Sequence, residues 1–202
     1  NISKQNINFE AFCEDILKVT KNCFMPLSLG GGIRTLGDAS LLFRNGADKI
    51  VLNTTLFENQ SLIKDIASIY GNQSLIASVD FKKQNLNYEV FIENGTRKIN
   101  PQLNKFLMKI MSLPVGELYL NSIDQDGTGQ GLLINSLKEI PQEFNLPIIL
   151  SGGAGNKFHL HEALKISEVD AVATANLFNF IGDGLPNARN YLLENGCKLA
   201  QW

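Results

Sequence analysis

The chain has 202 residues, of which 44% are hydrophobic and 19% are charged, with a formal net charge of −2 at pH 7. These values are typical of one globular domain, and the absence of a basic excess argues against nucleic-acid binding. No apolar run approaches the roughly 20 residues of a membrane span, and no secretory signal is visible. We therefore expect one cytoplasmic domain over residues 1–202 that contacts neither nucleic acid nor membrane.

Short β-rich runs alternate along the chain with longer stretches of helical periodicity, which indicates βαβ units on a parallel sheet. Strands are predicted at Leu27–Leu29, Lys49–Leu52, Leu75–Asp80, Glu117–Asn121, Pro147–Leu150 and Ala171–Thr174. Helices are predicted at Phe9–Lys21, Leu36–Asn45, Ser61–Tyr70, Gln102–Ser112, Ile134–Ile140, Phe158–Ile166 and Leu185–Glu194. After the third strand, Asn87–Ile92 and Thr96–Ile99 flank a glycine-containing turn and predict a β-hairpin.

The two halves of the chain resemble each other. Residues 26–33 read PLSLGGGI and residues 147–154 read PIILSGGA, and each is followed by a helix and by a strand that ends beside an asparagine. Copies four strands apart favour an α/β fold of the (β/α)8 TIM-barrel type over an open sheet. Because such a barrel takes about 250 residues, we expect that the first β/α unit and most of the second strand precede this sequence, with that strand ending near residues 1–3.

Two glycine-rich segments, residues 30–32 and 152–155, follow predicted strands. Glycine lets backbone N–H groups approach a phosphate closely, and the N-terminus of the following helix adds positive dipole. A tight strand-to-helix turn would have the same composition. Two copies on opposite halves nevertheless favour two phosphate sites, and hence a ligand phosphorylated at both ends. The spacing matches neither a dinucleotide-binding fingerprint nor a P-loop.

Three carboxylates lie at predicted strand ends. Asp80 closes an apolar strand, and Asp124 and Asp126 lie just past the next one. At the mouth of a barrel, such groups are placed for general acid–base work on a bound substrate. The alternatives are a helix cap or a loop salt bridge for Asp80, and Asx-turn chemistry for the other two.

The histidines and cysteines give no sign of a metal or nucleophile site. His159 and His161 are two residues apart at a helix start, which is not metal-ligand spacing, so a surface or capping role is expected. Cysteines occur at Cys13, Cys23 and Cys197, without metal spacing and without an accompanying histidine. We expect no metal, no cofactor and no glutaminase triad in this chain.

Four segments resemble the cyclase subunit of imidazole glycerol phosphate synthase. They are residues 26–34 (PLSLGGGIR), 46–54 (GADKIVLNT), 116–128 (GELYLNSIDQDGT) and 150–155 (LSGGAG), and the likeness runs in order to about Phe180. The sister isomerase of histidine synthesis has the same barrel but typically lacks the asparagine of Leu-Asn-Thr and the Ser-Ile-Asp. The cyclase is therefore the closer likeness.

This resemblance implies a lyase–cyclase of histidine biosynthesis that depends on a partner. A separate glutaminase subunit would release ammonia and pass it through the barrel. The ammonia would attack a bisphosphorylated formimino carboxamide ribulotide, and the products would be imidazole glycerol phosphate and aminoimidazole carboxamide ribotide.

The resemblance also implies roles by position. Asp80 would be one of two catalytic aspartates, the other belonging to the first strand, ahead of this sequence. One phosphate site would use Gly32, Asn53 and Thr54, and the other would use Asp126, Gly127, Gly153, Ala175 and Asn176. Lys49 and Glu117 would form half of a charged gate at the barrel floor, and Asp48 beside it would face the glutaminase.

Some residues depart from the family pattern. Gln125 stands where the family usually has Arg, Asn176 stands where it usually has Ser, and residues 131–134 replace a more polar stretch. These changes, with a different C-terminal tail, leave two alternatives open. One is an ammonia-channelling barrel subunit of a sugar amidotransferase system for surface polysaccharide, and the other is a non-catalytic barrel that binds a glutaminase. We also expect residues 1–202 alone to be inactive.

Overall fold

The computed structural model describes residues 9–21, 23–175 and 183–200. In these ranges, six parallel strands lie in the order β1-β2-β3-β6-β7-β8, and β4 and β5 extend the sheet from β3 as an antiparallel pair. The strands are β1 Ser28–Gly30, β2 Lys49–Leu52, β3 Leu75–Gln84, β4 Asn87–Ile92, β5 Arg97–Gln102, β6 Glu117–Ser122, β7 Ile148–Ser151 and β8 Ala171–Ala173. The parallel strands curl into a half-barrel with helices between them, which confirms the predicted barrel-type fold.

Helices connect most of the parallel strands. They are α1 Phe9–Thr20, α2 Leu36–Arg44, α3 Thr54–Glu58, α4 Gln60–Tyr70, α5 Leu103–Ile110, α6 Lys157–Leu164 and α7 Gly184–Glu194, with 3-10 turns at Asn72–Ser74 and Ile134–Glu139. Helix α2 begins with a reciprocal capping box, in which Thr35 and Asp38 each bond the other's backbone N–H. Within the described residues, no helix combines the length and the apolar character needed to cross a membrane.

Most predicted elements are confirmed, with ends that differ by one or two residues. The predicted α-helix at Ile134–Ile140 is wrong, because the segment is a 3-10 turn. Ile140 has extended backbone angles (φ −72°, ψ 126°), and the following Pro141 disfavours the α conformation at that position. Helix α3 was not predicted, and the expected strand end at residues 1–3 lies outside the described residues. The unit expected to precede residue 1 stays a prediction.

The insertion after β3 is larger than the predicted hairpin. Strand β3 runs past Asp80 to Gln84, so that β3, β4 and β5 form an antiparallel meander. The pairing of β2 with β3 ends at Leu52 and Ala77. From Asp80 onward, β3 pairs with β4 instead. Asp80 therefore lies between two neighbouring strands, β4 and β6, instead of at a free strand end.

The two faces of the parallel strands differ in chemistry, because successive side chains along a strand point to opposite faces. The outward face packs against the helices and is apolar and buried at Ile50, Leu52, Leu75, Ala77, Val79, Phe81, Leu118, Leu120, Ile148 and Leu150. The opposite face, called the lumen face here, carries polar groups at Lys49, Ser78, Asp80, Glu117, Tyr119, Asn121 and Ser151. The main hydrophobic core thus lies between the sheet and the helices, and the polar groups of the lumen face are available to contact a ligand.

Candidate functional site

A cleft of about 200 Å³ opens at the carboxyl ends of β6, β7 and β8. Four residues predicted to share one phosphate site line it together: Asp126, Gly127, Gly153 and Ala175. The structure therefore brings these four together, although they are separated by up to about 50 positions in the sequence. The fifth, Asn176, lies outside the described residues.

Backbone conformation explains why glycine is needed beside this cleft. Gly152 and Gly153 have φ angles of +93° and +102°, which side chains on L-residues rarely adopt. A Cβ atom at Gly153 would collide with the carbonyl oxygen of Gly131, whose N–H donates to the Gly153 carbonyl at 2.8 Å. Two backbone segments thus cross in contact here, and a side chain at Gly153 would not fit between them.

Asp80 lies on the lumen face beside the cleft. Its Oδ1 accepts a hydrogen bond from the side-chain amide of Asn121 at 3.0 Å. Burial raises the pKa of Asp80 above its usual range, the Asn121 hydrogen bond lowers it, and the nearby carboxylate of Asp126 raises it. A half-buried carboxyl group with a raised pKa is a candidate for taking and returning a proton in a reaction.

The other two predicted carboxylates have different roles. Asp124 accepts from the backbone N–H of Lys83 at 3.0 Å and from the hydroxyl of Ser122 at 2.7 Å. It therefore ties the loop after β6 to the extension of β3. These bonds differ from the Asx turn of the alternative, in which the carboxylate would accept a backbone N–H two residues further along the chain. Asp126 instead lines the cleft, so of the three predicted carboxylates Asp126 and Asp80 are the candidates for contact with a ligand.

The residues predicted for the other phosphate site lie at the ends of β1 and β2. Gly32 has a φ of +78° in the turn after β1, and the side-chain amide of Asn53 donates to the Ser78 carbonyl at 3.0 Å. The hydroxyl of Thr54 accepts the backbone N–H of Glu93 at 3.1 Å, so its own proton stays available for a ligand oxygen. The meander thus holds Thr54 in place at the start of α3.

The opposite, amino-terminal ends of the strands carry an ion pair. Lys49 at the start of β2 pairs with Glu117 at the start of β6, across the intervening strand β3. Asp48 is exposed, and its carboxylate accepts the backbone N–H of Leu27 at 2.8 Å. The structure therefore brings the two predicted gate residues together. Their role, and that of Asp48 toward a partner, stay predictions.

Sequence reasoning missed Tyr119, Asn121 and Ser151. All three line the cleft, and the Tyr119 hydroxyl donates to the Ser151 hydroxyl at 2.7 Å. Burial raises the pKa of Tyr119, the Ser151 hydrogen bond lowers it, and the carboxylates of Asp126 and Asp80 raise it. The signal for two of them was present in β6, where Tyr119 and Asn121 alternate with the buried Leu118 and Leu120.

Both histidines lie on helix α6. His159 Nδ1 accepts the backbone N–H of Gly155 at 3.2 Å, just before α6, whereas Asn156 is the residue that caps this helix. His161 instead packs its ring edge-on against Tyr191, with centroids 5.5 Å apart. Among the described residues, no group of three or more His, Cys, Asp or Glu side chains is placed to hold a metal ion.

Comparison with known proteins gives consistent matches over most of the chain. The profile of the family described as histidine biosynthesis protein matches residues 4–182. A protein of Parasynechococcus marenigrum, provisionally named imidazole glycerol phosphate synthase subunit hisF2, is 39% identical over 203 residues, covering 100% of this chain and 76% of that protein. The imidazole glycerol phosphate synthase subunits HisF of Chloroherpeton thalassium and Sulfurisphaera tokodaii are 37% and 36% identical, covering 91% of this chain and 73% and 75% of their own lengths.

Proposed function

The chain belongs to the histidine biosynthesis protein family, and we propose that it is the cyclase subunit of imidazole glycerol phosphate synthase. In this role it uses ammonia to cleave and cyclise a bisphosphorylated formimino carboxamide ribulotide, and is a lyase of histidine biosynthesis. Its partner is a glutaminase subunit that releases the ammonia. We place it in the cytoplasm as a single barrel domain.

One observation carries the site assignment: Asp80 lies on the lumen face beside a cleft whose rim is made of glycine-rich backbone. In the proposed reaction Asp80 is one acid–base group, and the reacting part of the ligand lies next to it. The phosphate at one end is held by Asp126, Gly127, Gly153, Ala175 and Asn176, and the phosphate at the other end by Gly32, Asn53 and Thr54. Backbone N–H groups can hold phosphate without a charged side chain.

The ammonia route is assigned to the lumen face. The partner glutaminase docks at the amino-terminal ends of the strands, next to Asp48, and ammonia enters where Lys49 and Glu117 form their ion pair. Tyr119 follows Glu117 on the lumen face of β6, and Asn121 follows Tyr119. This polar column leads from the ion pair to Asp80, and it avoids the apolar core on the other face.

An ammonia-channelling subunit of a sugar amidotransferase remains the second candidate, and Gln125 favours it. The Cβ of this residue would lie 3.1 Å from a Cβ at Gly153, so Gln125 borders the proposed phosphate site. The amide replaces a family cation there, and the residues that line the described cleft include no Lys or Arg. A ligand with less negative charge at this end would suit the change.

The direct test is turnover of the whole gene product with the bisphosphorylated ribulotide and ammonium at alkaline pH, followed by release of the aminoimidazole carboxamide ribotide. Formation of that product supports the cyclase. If the folded protein binds inorganic phosphate but gives no product, the cyclase assignment fails and the sugar amidotransferase candidate gains.

Replacing Lys49 tests the ammonia route. Lys49→Ala removes the cation of the ion pair, leaves Glu117 unpaired and opens the entrance, so we expect ammonia to escape before it reaches Asp80. Product formed per glutamine hydrolysed should fall several-fold in the complex with the glutaminase, while turnover on free ammonium stays within about two-fold. Lys64→Ala, on the outer helix α4, serves as the control. An unchanged product-to-glutamine ratio in Lys49→Ala would refute the gate assignment.

A further inference from the structure

Asn121 donates a side-chain hydrogen bond to the Asp80 carboxylate. The two side chains occupy directly paired positions on the neighbouring parallel strands β3 and β6. The Asn121 amide nitrogen lies 3.0 Å from Asp80 Oδ1. Asn121 also lines the cleft. It thus contacts both the candidate acid–base group and the space in which a ligand would lie.

We propose that Asn121 is a positioning residue, whose amide fixes Asp80 Oδ1 and thereby leaves Oδ2 as the oxygen that exchanges a proton with the ligand. This inference rests on the proposed function, in which Asp80 is an acid–base group. A carboxylate free to rotate would present either oxygen to the ligand in many orientations. A single hydrogen bond from a strand neighbour selects one orientation without adding charge.

The backbone makes this orientation rigid. Asp80 pairs with Phe91 of β4 on one side and with Asn121 of β6 on the other. Neither side chain can shift along its strand without breaking the ladder that continues to Phe81 and Ser122. The donor and the acceptor are therefore held by regular sheet structure, which is more precise than a loop.

Several charged and titratable groups surround Asp80, and the Asn121 amide is to be compared with them. Burial raises the pKa of Asp80, the Asn121 hydrogen bond lowers it, and the carboxylate of Asp126, in the loop after β6, raises it. Tyr119 lies on the same face of β6, and Lys82, two residues further along β3, has its ammonium 4.6 Å above the Phe91 ring on β4. Of these neighbours, Asn121 is the one that hydrogen-bonds Asp80.

The test uses the whole gene product in three variants. Asn121→Leu removes the donor at similar size, Asn121→Gln restores an amide on a longer side chain, and Asn104→Leu is the matched control. Asn104 is also a partly buried asparagine whose amide bonds one partner, the Glu139 carbonyl at 2.8 Å. The Asp80 carboxyl is followed by carbon-13 NMR during a pH titration, with its signal assigned by its loss in Asp80→Asn.

In Asn121→Leu we expect the titration midpoint of Asp80 to rise by about one pH unit, which is a tenfold change in its proton affinity. The acid limb of the pH profile of kcat should shift to higher pH by a similar amount, while KM stays within a few-fold. Asn121→Gln should recover part of both shifts. A residue that only bound ligand would change KM instead. An Asp80 midpoint that does not move in Asn121→Leu would overturn the proposal.

The two hypotheses fail in different ways. If the wild-type protein shows no ammonia-dependent turnover, the proposed function is refuted, and the NMR midpoint still decides whether Asn121 controls the carboxyl. If turnover occurs and the NMR midpoint moves, but the kcat profile does not, Asp80 is not the titrating group in catalysis and the positioning role is overturned.

Discussion

Asp80→Asn is expected to lower ammonia-dependent turnover by about 10²–10⁴-fold, the usual contribution of an acid–base group. Asparagine has the shape of aspartate but cannot exchange a proton near neutral pH. The affinity for the bisphosphorylated ligand should stay within a few-fold, because the residues proposed to bind the two phosphates do not include Asp80. Steady-state kinetics and ligand titration on the same preparation measure both quantities.

The control for this variant is Asp65→Asn, the same change on the exposed side of helix α4. It should leave turnover unchanged. If Asp80→Asn kept near-normal turnover, Asp80 would have no part in the mechanism and the cyclase site would have to be sought elsewhere.

Loss of turnover in Asp80→Asn should not come from unfolding. Burial raises the pKa of Asp80 in the folded state, so folding favours the protonated form. The stability associated with this group is therefore complete below the unfolded pKa, near 3.9, and is lost as the pH rises through the higher folded value. At neutral pH the neutral asparagine should give equal or greater stability than the carboxylate. Thermal unfolding at pH 5 and pH 8 checks this.

Gly153→Ala is expected to destabilise the fold by about 3 kcal/mol or more and to weaken phosphate binding strongly. The positive φ alone costs an alanine about 1–2 kcal/mol. The added Cβ would also collide with the Gly131 carbonyl oxygen, a backbone atom that cannot rotate away. Urea unfolding measures the free energy of unfolding, and titration with inorganic phosphate measures binding.

The matched control is Gly196→Ala, after helix α7. Gly196 has a φ of +81°, and a Cβ there would have no atom within 4 Å. This variant carries the backbone strain without the collision, so it should lose only about 1–2 kcal/mol. Equal losses for the two variants would mean that the crossing of backbone beside the cleft is looser than the structure indicates.

The sequence predicted the parallel sheet well, because the strands are short apolar runs and the helices have a clear period. It predicted the cleft only in part. Gly153 and Asp126 were found because a glycine run and an acidic loop are visible locally. The contact of Asn121 with Asp80 was not found, since it depends on the register between β3 and β6, and register is set by the assembled sheet.

The errors have local causes. The apolar spacing of residues 134–140 suits a helix, but Pro141 limits the conformation of the residue before it. The extension of β3 to Gln84 was hidden because Lys82 and Lys83 interrupt the apolar pattern. Lys82 lies on the polar face of the strand, where alternation allows a charged residue, and Lys83 is exposed close to the strand's end.

The hydrophobic core residues and the polar lumen-face residues lie on opposite faces of the same strands. This separation affects how the protein can evolve. Positions such as Tyr119 and Ser151 can change without opening a hole in the apolar layer beneath the helices, whereas Leu118 and Leu150 cannot. A library randomised at the lumen-facing positions should therefore keep a large fraction of folded members, and one randomised at the outward positions should lose most of them. A duplicated gene could move to a new substrate through a few such changes while inheriting the scaffold intact.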